Sequence, residues 1–284
     1  MERYLQTRLM LTKSITQKIH MDTTLQKSFG KLDIKFEKNS LKKLYQQGAS
    51  KAIIPNSYRR FKELVLVNTS GGMTSGDSYL NNFNLSGSDI CITTQTAEKI
   101  YSGFGQPAKL KIDIDLKESN LLWLPQELIL FNQCNFSRRI NININNNSNL
   151  IMSETSVYGR TSMGEVVEKG FFSDIWEIFC EGKLAHVEAS SFDGNISKLL
   201  NNRTTFDNKY AVNTILVIGK LFYEKIKNIN VEKFENDEVK IAMSEWDNKV
   251  LIRSIGTNSY YLKFAIMGLL SYILDNEIPK VWNS

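Results

Sequence analysis

The chain has 284 residues, and its 42% hydrophobic, 11% aromatic and 23% charged composition is that of a globular protein with a substantial core, which excludes an extended or disordered polypeptide. Thirty-five Lys and Arg against 30 Asp and Glu leave a formal charge of +5, too small and too scattered for a dedicated nucleic-acid groove. Three cysteines without C-x-x-C spacing and two histidines exclude a disulfide framework, a zinc ribbon and tight transition-metal storage.

In chain order, residues 1–20 alternate charged and apolar side chains without the apolar run of a signal peptide, so a reducing cytoplasmic location is expected. Lys31, Lys35, Lys38, Lys42, Lys43 and Lys51 form the densest basic group and read as a solvated face. Ser40 followed by LKKLYQQ and Gly48 predicts a helix over Ser40–Gln47. From there to about residue 200, period-two alternation dominates. In AKLKIDIDL, Ala108, Leu110, Ile112, Ile114 and Leu116 alternate with charged residues, and RRININI repeats the pattern through Ile140, Ile142 and Ile144. IWEIFC, Glu181-Gly182-Lys183 and LAHVEA predict a hairpin. Residues 201–209 suggest a break, and a helix is expected over Ser259–Leu274, opened by an Asn258 cap. Its apolar run, Phe264 to Leu274, is too short to cross a bilayer.

An internal repeat lies in the strand region. Ser88-Asp89-Ile90, Ser119-Asn120-Leu121 and Ser148-Asn149-Leu150 each open a strand, at spacings of 31 and 29 residues. Alignment puts Ile90, Leu121 and Leu150 in one phase, makes Gln95 and Gln126 coincide and, less well, matches Glu154 to Glu188 in KLAHVEA. Strands recurring at this period suggest a mainly β, irregular β-helix or solenoid-like scaffold, or a layered sandwich, with few α-helices and one near the carboxy terminus. A single domain over 1–284 is expected, with a β body (1–200) and a smaller β/α part (201–284) packed on it.

Gly71 to Ser78 has the G-x-x-x-x-G spacing of a phosphate loop, but Asp77 stands where the phosphate-binding Lys belongs, so the glycines mark a turn or a contact surface. His186-Val187-Glu188 matches the H-x-E of zinc deaminases without their C-x-x-C partner, and no nucleophile elbow is present. What remains is a set of carboxylates in apolar surroundings, Asp77, Glu98, Glu127, Glu154, Glu165 and Glu188, each needing a partner, a cation or water. Together they suggest a wet path for a divalent cation held transiently by carboxylate and water. Arg59, Arg60, Arg138, Arg139 and Arg160 are the structural partners that would cancel this. Two competing readings are a β-solenoid carbohydrate-active enzyme using paired carboxylates from Glu98, Glu127 or Glu154, and a metal-free protein-interaction module.

The blocks LYQQGASKAIIP, LVNTSGGMTSGD, TTQTAEKIY, LPQELILF, VYGRTSMGE, WEIFCEGKLAHVE and IPKVW, in this order, resemble the urease accessory protein UreD (UreH) family over nearly the whole chain. Gly71, Gly72, Gly76, Asp77, Gln95, Lys99, Gln126, Glu127, Gly159, Arg160, Gly164 and Glu165 match. Ile53 and Asn132 depart, standing where Arg and Asp are usual. The resemblance implies a non-enzymatic maturation scaffold working with UreF-type and UreG-type accessory proteins on the urease apoprotein, with a possible homodimer inside that complex and no nucleic-acid or membrane partner. It further implies no tightly bound cofactor but transient handling of nickel(II), for which Asp77, Glu127, Glu154, Glu165 and Glu188 are the path candidates.

Overall fold

The structure is a computed structural model that describes residues 26–56, 59–159 and 164–283. The described chain begins with β1 (Phe29–Glu37), β2 (Ser40–Gly48), β3 (Ser50–Ile53) and β4 (Lys62–Asn68). It continues through β5 (Ser78–Ser86), β6 (Asp89–Thr94), β7 (Glu98–Ile100), β8 (Ala108–Lys117), β9 (Asn120–Trp123) and β10 (Leu128–Leu130). Then follow β11 (Asn135–Ile144), β12 (Asn149–Tyr158), β13 (Lys169–Cys180), β14 (Lys183–Asn195) and the short helix α1 (Ser197–Asn201). The remainder is β15 (Ala211–Ile218), α2 (Lys220–Ile226), β16 (Val239–Trp246), β17 (Lys249–Gly256) and α3 (Ser259–Ile273).

These strands form two sheets. The first runs in the order β14-β13-β11-β8-β5-β1-β2, and the second in the order β16-β17-β15-β12-β9-β6-β4-β3, with β7 and β10 paired beside β12. From β4 to β13 the chain alternates between the sheets, and the strands it lays down pair in parallel with their predecessors. The expected mainly β architecture with few helices is therefore present. Both sheets stay open at their edges. After residue 201, β15 pairs antiparallel with β12 and continues the second sheet. Among the described residues no helix is long and apolar enough to cross a membrane.

Alternation in the sequence explains the layering. Ile34, Leu85, Ile114 and Ile142 from the first sheet meet Leu66, Ile92, Leu121 and Met152 from the second in a buried core between them. The residues in the opposite phase of the second sheet, among them Leu122, Ile151, Ile215 and Ile252, pack under α2 and α3. The helix expected from Ser259 is α3, and the Asn258 side chain accepts from the Tyr261 amide at its start. The hairpin expected at residues 175–189 is β13–β14.

The helix expected over Ser40–Gln47 is instead β2, paired antiparallel with β1. Lys38 and Asn39 take φ of 48° and 59°, the left-handed pair that a two-residue hairpin turn demands. That turn and the β1 register outweigh the helical propensity of Leu, Lys and Gln, which is only a weak preference.

The internal repeat is a physical stack. Asp89, Asn120 and Asn149 lie side by side at the starts of β6, β9 and β12. Asn120 Nδ2 donates to Asp89 at 2.5 Å, and Asn149 Nδ2 donates to Asn120 at 2.7 Å. Beside them, the Ser88 amide donates to Ser119 Oγ and the Ser119 amide to Ser148 Oγ. The fourth match does not hold. Glu188 lies on β14, opposite Trp176 in the first sheet, whereas Glu154 lies on β12 in the second.

Candidate functional site

The buried phase of β11 reads Phe136, Arg138, Ile140, Ile142, Ile144, so a guanidinium occupies a position in a phase otherwise filled by apolar side chains. Two neighbours neutralise it. Its Nε and Nη2 donate to Asp174 on β13 at 2.8 and 2.7 Å, and its Nη1 donates to Glu154 on β12 at 2.8 Å, tying the first sheet to the second. The remaining carboxylate capacity is taken by indoles: Trp123 Nε1 donates to Glu154 at 2.7 Å and Trp176 Nε1 to Asp174 at 3.0 Å. Burial opposes the Arg138 charge, but the two carboxylates more than offset it and its pKa is raised. Burial lifts Glu154 above the usual carboxylate range against the pull of Arg138.

Arg138 and Trp123 form part of the wall of a cavity of about 170 Å³ that also touches Leu32 and Ile112 in the inter-sheet core. Its outer wall is made by Gly71–Met73 and by the segment Thr94–Lys99. The wall carries uncharged oxygen and nitrogen groups from Asn68, Tyr79, Asn81, Gln95 and Gln126, with Glu98 as its acid. Asn68 Nδ2 donates to Glu98 Oε1 at 3.0 Å. Burial is the main influence on Glu98 and pushes its pKa up to about 7, against the lowering effect of that hydrogen bond. Asn81 Oδ1 is buried with no hydrogen-bond partner, a polar atom that points to water or a ligand as its counterpart.

The glycine loop builds this wall. Met73 N donates to Lys99 O at 2.7 Å and Tyr101 N to Met73 O at 2.8 Å, stitching the loop to β7. Gly72 sits at φ of 144°, and a Cβ there would lie 2.5 Å from the Tyr101 ring and 2.7 Å from Lys99 O, so only glycine lets the strands approach. Gly71 and Gly76 also take left-handed φ in this loop. Gln126 holds the wall from behind: its Nε2 donates to Val281 O and its Oε1 accepts from Lys263 of α3. Trp282 Nε1 donates to Leu124 O, so the blocks LPQELILF and IPKVW, far apart in sequence, meet here.

The five path candidates do not converge. Asp77 is a clamp whose Oδ1 accepts from the Ser28 amide and Oδ2 from the Thr74 amide. Glu127 faces Lys263 at 3.4 Å. Glu165 accepts from the Asn132 amide at 3.4 Å, close to Gly159. Glu188 is held at 2.7 and 2.8 Å by Arg253. Only Glu154 lies at the cavity, one hydrogen bond behind its lining residues Trp123 and Arg138. Gln95, Lys99 and Gln126 line the cavity directly. Gly159 and Gly164 take left-handed φ in the turn after β12, and Arg160 lies outside the described residues. Among the described residues no three His, Cys, Asp or Glu side chains group to hold a metal ion. Burial raises the Cys91 and Cys134 thiols, the latter to about 12, and lowers His186 to about 4.

Asp174 and Asn81 are absent from the sequence reading, and Glu98 stands there among the six carboxylates but not among the five path candidates. A signal existed for Asp174: in Phe172, Asp174, Trp176, Ile178 an acid sits in the buried phase of a strand, as Arg138 does in β11.

Fold and site together define a mainly β protein with a chamber of mixed polar and apolar lining between its two sheets. The model of the UreD urease accessory protein family matches residues 28–283. Over 249 residues the chain is 31% identical to the urease accessory protein UreD of Rhizobium leguminosarum bv. viciae, covering 86% of this chain and 89% of the relative. It is 30% identical over 249 residues to that of Agrobacterium fabrum, covering 87% and 86%. The chain belongs to the UreD urease accessory protein family. As such it is an accessory factor in urease maturation and not an enzyme, which removes the carbohydrate-enzyme reading.

Proposed function

We propose that this protein is a cytoplasmic scaffold that, with UreF-type and UreG-type accessory proteins, binds the urease apoprotein and lets nickel(II) reach its active site, the ion passing through the chamber between the sheets. A homodimer inside that complex belongs to the same proposal, as does the description of the alternating parallel strands as a short, irregular solenoid. The supporting observation is the chamber itself, where oxygen groups of Asn68, Tyr79 and Asn81 stand beside Glu98, with Glu154 behind the wall. Nickel(II) would meet neutral oxygen and one carboxylate there, beside the cations Lys51, Lys99 and Arg138, a setting that releases its ion, whereas imidazole and thiolate would retain it. Asp77, Glu127, Glu165 and Glu188 enter this reading as flanking acids whose protein partners a passing ion would have to displace.

Deletion of the gene, with urease activity and urease nickel content measured in the same cells, tests the maturation role: both fall together if it is right, and normal holo-urease refutes it. The route is tested separately. Asn81→Leu with Glu98→Gln narrows the chamber and removes its acid, so urease nickel content should fall while the accessory complex still assembles. Full nickel loading by that variant, in an intact complex, refutes the route and leaves a metal-free interaction module.

A further inference from the structure

We infer that the open edge of β2 is a docking site for an extended, acidic segment of a partner protein, which adds to the seven-stranded sheet as a further strand. This goes beyond the maturation role and does not depend on the chamber.

Three observations carry it. First, β2 ends its sheet: among the described residues β1 is the strand that pairs with it, and all nine β2 residues are exposed. Such an edge presents unpaired N–H and C=O groups that another strand can use. The opposite edge is tied to the second sheet at two points, since Arg253 grips Glu188 of β14 and Lys249 Nζ donates to Ala185 O. Second, the β2 edge is sticky. Leu41 and Leu44 share the face of Phe36 and Ile34 through the register, yet they are 40% and 41% exposed, and Ile53 on the neighbouring β3 is 52% exposed. On the other face, Lys43 and Tyr45 stand opposite Lys35 and Asp33.

Third, the charge selects the occupant. Residues 29–53 hold six lysines, Lys31, Lys35, Lys38, Lys42, Lys43 and Lys51, against Asp33 and Glu37, a net charge of +4 on these three strands and the β1–β2 turn. Asp33 and Glu37 are already engaged by Lys43 and Lys35. Lys42 is the extra residue of the bulge at which the β1–β2 register shifts between Lys35 and Phe36. A second copy would bring the same basic edge, and residues 1–25, with four basic and two acidic side chains, have the same sign. An acidic strand with apolar residues in alternate positions would meet Leu41 and Leu44 on one face and the lysines on the other.

The test uses the full chain with two nine-residue peptides matched to the length of β2, one alternating Val and Glu and one alternating Val and Lys. Hydrogen exchange is read at residues 40–48. The Val/Glu peptide should slow exchange there and bind about tenfold or more tightly than the Val/Lys peptide, with the gap shrinking as salt rises. The doubly substituted Lys42→Glu, Lys43→Glu protein, altered at exposed positions, should reverse the preference. Equal binding of both peptides, absence of protection with either, or protection confined to another strand overturns the proposal. Protection that grows with protein concentration alone, or that disappears when residues 1–25 are removed, overturns it in favour of a second copy or of the chain's own amino terminus.

Discussion

The space between the two sheets is filled in two ways along the same strands. Toward the carboxy end of β11 it holds Ile140, Ile142 and Ile144 facing Leu121, Leu150 and Leu216. Toward its amino end the same phase of the same strand carries Arg138, with Asp174, Glu154 and an adjoining cavity that polar groups share with apolar ones. The aliphatic part is close-packed and requires only shape. The polar part holds three charged groups away from water, where each is tolerable only while its partners remain. One fold therefore contains a dry wedge that sets its stability and a chamber whose polarity the wedge must support.

Arg138→Met should produce the largest effect, because it leaves Glu154 and Asp174 buried without their cation. Loss of one partner of a buried pair costs about 3–5 kcal/mol, a drop that urea unfolding at pH 7 would register. Removing all three charges together, as Arg138→Met, Glu154→Leu, Asp174→Leu, should recover most of that loss. If the triple variant is no more stable than the single, the polar end is structural in some way other than charge pairing.

At the dry end, Ile142→Ala removes a fully buried side chain from a close-packed layer. It should cost about 2–4 kcal/mol in the same unfolding measurement. A loss below about 1 kcal/mol would mean that this layer relaxes as readily as the chamber and would erase the contrast.

Glu98 sharpens the comparison through pH. Its folded-state pKa, about 7, lies above the ordinary 4.5, so between those values the folded protein binds more protons than the unfolded chain. The stability this contributes is fully present below pH 4.5 and is lost as pH rises through 7. Glu98→Gln keeps an acceptor for Asn68 and abolishes the titration. Wild type should therefore weaken relative to this variant by about 1–3 kcal/mol between pH 5 and pH 8. Parallel stability curves for the two proteins would show that the acid sits in open water.

The dry end was legible in the sequence because alternation there is strict, and a two-residue period needs no knowledge of partners. The three-fold recurrence of Ser88, Ser119 and Ser148 likewise gave both the strand starts and their stacking order. β2 was misread because LKKLYQQ suits either state locally, and its pairing with β1 depends on the Lys38–Asn39 turn. The chamber was only half legible. Glu154 and Arg138 stood out as charges among apolar residues, but they lie in different sheets, and nothing in their spacing says that they share one ion cluster. Asp77 and Glu188 stood out equally and proved to hold backbone amides and Arg253. An acid in an apolar segment thus announces that it has a partner without saying whether the partner is protein or cargo.

The smallest expected effect concerns the ladder that sets β6, β9 and β12 of the second sheet in register. Asn120→Ala removes the acceptor for Asn149 and the donor to Asp89, two side-chain hydrogen bonds at half-buried positions. Water can replace part of what is lost, so the cost should be about 1 kcal/mol, well below that of Arg138→Met. The ladder's importance lies in alignment. A one-residue slip of β9 against β6 would turn Leu121 and Trp123 out of the inter-sheet core and Leu122 into it. Asn120 is the middle rung, so its loss should accelerate amide exchange in β6, β9 and β12 together while leaving β13 unchanged. Faster exchange confined to β9 would mean that the aliphatic side chains alone hold the register and that the asparagines are ornament at the strand starts.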